Sequence, residues 1–131
     1  MNHVILAAHG GLAQALLATL ETIAGQQPHV HAVGLAPGAT PDEFASDLAR
    51  AVKRGQPALV LCDLRFGTPH HAALRLSAQR QDVRVLTGVN LAMLLEAALS
   101  VDIETLAALA ARAQSAAQND LDPQARDADA G

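Results

Sequence analysis

The chain is nearly without aromatic side chains. Its 131 residues include no Trp, no Tyr and two Phe, so a core has to be built from Ala, Leu, Val and Ile. The single cysteine, Cys62, excludes an internal disulfide and suits a reducing compartment. It lies in an apolar run, where a buried, inert thiol is expected. Basic charge is also scarce. Nine Lys and Arg against 13 Asp and Glu leave a net charge of −4, which argues against a nucleic-acid binder. No apolar run is long enough to cross a bilayer, and no basic segment precedes the first apolar stretch as in a signal peptide. A cytoplasmic protein without direct membrane insertion is the expectation. No Gly-Lys-Ser/Thr sequence occurs, so a nucleotide-binding phosphate loop is missing.

What is present is a regular alternation of strand and helix patterns, at a length that suits one domain with one core. The apolar run from His3 ends at His9, followed by Gly10 and Gly11 and a helical pattern from Leu12. A second strand is read at His29–Leu35, then a loop through Pro37 and Gly38. Thr40-Pro41-Asp42-Glu43 is a capping box with proline at the first helical position. The helix it opens turns Phe44, Leu48, Ala51 and Val52 to one face and should stop at Gly55. Pro57–Leu64 is apolar throughout, as expected of a strand covered on both faces. Thr68-Pro69 repeats the cap-then-proline start, with Thr68 as the cap. Asp82–Thr87 is the fourth strand, and Gly88-Val89-Asn90 leads into a helix over Leu91–Leu99. Asp102 is expected to cap a last helix with Leu106, Leu109, Ala110 and Ala113 on one face. The composition of Asn119–Gly131 suggests a disordered tail after a domain of residues 1–118. The whole reads as a doubly wound α/β fold, with a mainly parallel sheet of order 2-1-3-4 and helices on both faces.

In such a sheet the strand order reverses between strands one and three, and ligands bind in the crevice there. His9 and Asp63 end those two strands. A carboxylate accepting the Nδ1–H of a histidine fixes its tautomer, frees Nε2 and balances positive charge on the ring. His9 is then a candidate nucleophile and Asp63 its orienting acid. The stretch Arg65-Phe66-Gly67-Thr68-Pro69 adds a glycine, a hydroxyl and a helix N-terminus, which suits an anionic electrophile. The bland readings are a turn-capping Asp63 and a plain helix cap at Thr68. His70 and His71 are adjacent on a helix and point about 100° apart, so a metal pair is not expected, although one of them can rim the site. His3, His29 and His31 lack an acidic or thiol partner nearby in sequence and are expected at solvated or edge positions.

Four stretches together resemble the IIA subunit or domain of mannose-type sugar phosphotransferase systems. They are Ala8-His9-Gly10, Pro37-Gly38, Asp63-x-x-x-Gly67-Thr68-Pro69 and Gly88-Val89-Asn90-Leu91-Ala92-Met93-Leu94. The resemblance runs from about Val4 to Ser100. It implies a phosphoryl carrier that takes phosphate from the HPr phosphocarrier protein onto His9 and passes it to a IIB domain. Asp63 becomes the orienting carboxylate, Gly10, Gly67 and Thr68 lie on the phosphate side, and Pro37, Gly38, Arg65 and Phe66 border the site. No cofactor or metal is implied, and a cytoplasmic homodimer is. Arg65-Phe66 stands where the family often has Trp-Gly or a similar small, flat pair, and Asn119–Gly131 lacks the pattern of the short exchanged strand that ends many members. Rival readings are a tetrapyrrole metal chelatase, which also places His-Gly after a first strand, and a regulatory phosphoprotein on the same fold, including a dihydroxyacetone-system variant.

Overall fold

The computed structural model describes residues 1–123. The elements alternate as β1 (His3–His9), α1 (Leu12–Ala24), β2 (Val30–Leu35), α2 (Pro41–Ala51), β3 (Ala58–Cys62), α3 (Thr68–Gln79) and β4 (Val83–Leu86), followed by α4 (Leu91–Leu99) and α5 (Leu106–Asp120). All strand pairings are parallel and the order is β2-β1-β3-β4, as the sequence leads one to expect.

Alternation along the central strands separates two apolar layers. Val4, Leu6, Ala8, Leu59 and Leu61 face α1, α4 and α5, where Leu20, Leu94 and Leu109 are fully buried. Ile5, Ala7, Val60 and Cys62 face α2 and α3, where Phe44 and Leu48 fill the layer. Burying one such Leu or Phe contributes about 1.5–3 kcal/mol. With so few aromatics, alanines carry much of the contact. Ala73, Ala97 and Ala113 are wholly buried and let helix backbones sit close to the sheet. Burial pushes the Cys62 thiol up to about 12, helped by the adjacent Asp63 charge, so this thiol is inert at neutral pH.

Several boundaries differ from the sequence reading. The helix opened by the Thr40–Glu43 box has both reciprocal bonds of that motif, yet it ends at Ala51 rather than Gly55. Val52 turns out of the helix to bury its side chain, and Gly55 takes a left-handed turn (φ 79°) further on. Asp102 does not cap the last helix. Thr105 does, accepting from the Ala108 amide at 3.1 Å. Nor does Thr68 cap α3. Gly67 takes the extended N-cap position, Thr68 is already helical, and no side chain caps that end. Helix α5 runs through Asn119 and Asp120, across the expected domain boundary, and the rest of the expected tail from residue 124 lies outside the described residues. His3, His29 and His31 are half-buried, with His31 on the edge strand β2 as expected, and they are gathered together. The His3 ring lies 5.1 Å from that of His29 and 5.4 Å from that of His31.

Candidate functional site

The register of β1 on β3 pairs Ala7 with Cys62, so His9 and Asp63 emerge side by side at the carboxyl edge. Strand order reverses there, with β1 leading to β2 on one side and β3 to β4 on the other. The His9 Nδ1 lies 2.8 Å from Asp63 Oδ2, and the His9 backbone N–H donates to the same oxygen at 3.0 Å. Asp63 Oδ1 accepts from the Leu64 amide, also at 3.0 Å. Desolvation alone would raise the Asp63 pKa. The His9 backbone N–H, the ring hydrogen bond and the ring's charge outweigh it and hold Asp63 below the usual carboxylate value. An ionised Asp63 accepts, so Nδ1 of His9 must carry the donated proton. Nε2 is then the nitrogen with a free lone pair. It has no hydrogen bond to the described residues, and the His9 side chain is 44% exposed while Asp63 is 9% exposed.

Gly67 makes room for this ring, and Gly34 for the turn behind it. A Cβ on Gly67 would stand 2.8 Å from His9 Cε1 and 3.2 Å from Nε2. The N-terminus of α3 therefore abuts the free nitrogen, and its first-turn amides have no partner within the helix. A Cβ on Gly34 would stand 2.6 Å from the Gly10 carbonyl oxygen. Gly34 lets the turn after His9 fold back over β2, where the Gly10 amide donates to Leu35 at 2.9 Å. Gly10 itself is left-handed (φ 57°), a conformation that glycine adopts without steric cost. The sequence reading missed Gly34, although a glycine inside a strand is a signal of close backbone approach.

The other expected site residues are dispersed around this centre. Pro37 and Gly38 lie in an exposed turn two and three residues beyond Leu35, which pairs with His9. That turn closes on itself, with the Ala39 amide donating to Ala36. Thr68 opens α3 next to Gly67 and lines a cleft of about 380 Å³ with Pro41, Ala45, His71 and Arg75. The sequence singled out neither Arg75 nor the cleft, because both depend on how α2 packs on α3. Arg65 places its guanidinium 4.9 Å over the Phe66 ring, and Phe66 is 74% exposed. His70 accepts a hydrogen bond from the Phe66 amide, while His71 turns to the cleft. Among the described residues, no group of three or more His, Cys, Asp or Glu side chains is set to hold a metal ion.

The sequence matches the family described as "PTS system fructose IIA component" over residues 3–114. The chain belongs to this family of phosphotransferase-system IIA components. It is 33% identical over 98 residues to the sorbose-specific EIIA component of Klebsiella pneumoniae, covering 73% of this chain and 72% of that one. It is 30% identical over 103 residues to the mannose-specific EIIAB component of Escherichia coli strain K12, covering 76% of this chain but 32% of the longer relative. The crystal structure of an EIIA component from Streptococcus agalactiae superposes with a TM-score of 0.89 at 32% identity, covering 94% of this chain and 97% of that one. This IIA protein is thus a phosphotransfer component of the mannose/sorbose group, which leaves the chelatase reading without support. Among its described residues, no helix is long and apolar enough to cross a membrane.

Proposed function

We propose that this IIA protein carries a phosphoryl group on Nε2 of His9, received from phospho-HPr and passed to a IIB domain for coupled sugar uptake. One observation carries the proposal. Asp63 engages Nδ1 of His9, which leaves Nε2 free beside Gly67 at the start of α3. In the transfer, the Nε2 lone pair forms the new N–P bond as the donor's P–N bond breaks. The donor ring recovers the bonding pair. The His9 ring becomes cationic, keeps its Nδ1 proton and is balanced by Asp63. The phosphoryl oxygens meet the backbone amides at Gly67 and the first turn of α3, with the Thr68 hydroxyl as a further donor. Gly10 gives the turn behind His9 its shape. Pro37, Gly38, Arg65 and Phe66 form the rim that a partner protein meets. Positioning and oriented donors suffice for such a transfer, since the donor is itself a phosphohistidine. The name of the E. coli relative joins an A and a B component in one protein, which supports a IIB acceptor for this chain. In this reading the protein acts in the cytoplasm as a homodimer.

The test is incubation with phosphoenolpyruvate, the first enzyme of the phosphotransferase system and HPr. An acid-labile, base-stable adduct mapped by mass spectrometry to His9 is expected, and H9A should take up none. A phosphate found on His70 or His71, or none with any HPr, overturns the proposal.

A further inference from the structure

Phe66 is the one non-glycine residue with a positive φ among the described residues, at 61°. A bulky side chain is disfavoured in that left-handed conformation, so something must hold it there. The burial of its ring does not, because Phe66 is mostly exposed. The fixed contact is on its backbone, where the Phe66 N–H donates to His70 Nδ1 at 3.0 Å, from the first turn of α3 back to the loop that precedes it. The His70 ring also meets the Phe66 ring edge-on, with centroids 6.4 Å apart. The next residue, Gly67, is the one where an added Cβ would stand 2.8 Å from Cε1 and 3.2 Å from Nε2 of His9.

We propose that His70 is a positioning residue for phosphotransfer, pinning the Arg65–Gly67 loop against His9 by accepting the Phe66 amide hydrogen at its Nδ1. The inference rests on the reading of His9 as the phosphoryl carrier. The bond requires Nδ1 to be unprotonated. A proton there turns the acceptor into a donor facing another donor, and the loop loses its hold. Desolvation of the ring, then the charges of His71 and Arg65, lower the His70 pKa, so the accepting form persists at neutral pH. Among the described residues, the groove on the other side of His70, lined by Leu86 of β4, the following Thr87, and Gln114 and Gln118 of α5, brings no further charge to it. With Nδ1 accepting, the Nε2 of His70 carries the proton, which makes His70 unsuited to act as a second nucleophile in the same state.

The test compares H70A and H70N, because an asparagine oxygen can stand near the position of Nδ1 and accepts without titrating. H70A should transfer phosphate from phospho-HPr about tenfold more slowly, the scale of one lost hydrogen bond at a point of positioning. H70N should recover most of that loss. By amide-resolved NMR, the Phe66 resonance of the wild-type protein should shift as pH falls below the ordinary histidine range and His70 gains its proton, and that of H70N should not. Transfer by H70A at the wild-type rate, no recovery in H70N, or a wild-type Phe66 amide indifferent to pH overturns the inference. If H70A does not fold, H70N and the Phe66 titration decide. A wild-type protein that takes no phosphate overturns the reading of His9 instead, and the titration still decides whether His70 holds the loop.

Discussion

Gly67 leaves no room for even one methyl group beside the ring of His9. Its φ of −136° is open to any residue, so Gly67→Ala does not strain the backbone. The added Cβ meets a ring pinned by Asp63, and either the ring leaves Asp63 or Nε2 is shielded. Transfer should fall by about a hundredfold or more, while the melting temperature stays near wild type, since the site is at the surface. A mutant that transfers normally would show the ring to be free to shift. Asp63→Asn should slow transfer roughly ten- to a hundredfold, because about 1.5–3 kcal/mol of charge-assisted bonding is lost. It should also change acid stability. The pKa of Asp63 is depressed in the folded state, so its contribution is present above the ordinary carboxylate value and is lost as pH falls through the depressed one. Acid melts of Asp63→Asn should lack that decline. The pairing of His9 with Asp63 was legible from their strand-end positions. The roles of Gly34 and His70 were not, because Gly34 meets an atom of a distant segment and His70 meets an amide presented by a left-handed loop residue.

The helices show which local signals survive folding. The Thr40–Glu43 box forms as written because both its bonds lie within four residues. Asn90 caps α4 in a similarly local way, accepting from the Met93 amide at 2.8 Å. At α3 and α5 the cap moved. The chain enters α3 through extended Gly67, and α5 starts three residues later than Asp102 allows, after the turn in which Ile103 donates to Ser100. Thr105→Ala should therefore cost about 0.5–2 kcal/mol, and Asp102→Ala much less. Equal losses in denaturant melts would contradict the assignment. Thr68→Ala carries a different expectation from that of a capping threonine. Without a cap bond to lose, it should change stability by under about 0.5 kcal/mol, so a slower transfer in that variant reports the hydroxyl's contact with phosphate. A large drop in stability at unchanged rate would restore Thr68 as a cap.

At the scale of the whole molecule, the two ends of the sheet carry opposite designs. At the carboxyl edge a histidine meets a carboxylate. At the opposite edge three histidines meet one another, with His3 Nδ1 3.2 Å from His31 Nε2, so one ring must accept from the other. The pKa of His3 is lowered by burial first, then by His29, His31, the N-terminal ammonium and Lys53. That of His31 is lowered by burial, Lys53 and His29. The unfolded chain then binds more protons than the folded one over a window starting near the ordinary histidine value. Stability is complete above it and falls as pH drops toward the depressed values. Melting temperatures measured from about pH 8 to about pH 5 should fall, and less so for His31→Gln, which cannot charge. Parallel curves for the two proteins would place the acid sensitivity elsewhere.

The sequence by itself determined the order and type of the elements, the parallel 2-1-3-4 sheet and the pair of strand ends that meet at its crevice. These follow from apolar periodicity and from the handedness and adjacency rules of βαβ units, which act over short stretches of chain. Only the tertiary structure decided which glycines make room for His9 and the turn behind it, which residue holds Phe66 in its left-handed turn, where α3 and α5 are capped and which histidines touch. The glycine contacts and the histidine cluster depend on distances between segments far apart in sequence, such as Gly34 against Gly10 and Gly67 against His9, while the His70–Phe66 bond and the caps join near neighbours whose backbone path the packing sets. Residue periodicity carries no record of them, because the same pattern fits any packing that buries the same faces.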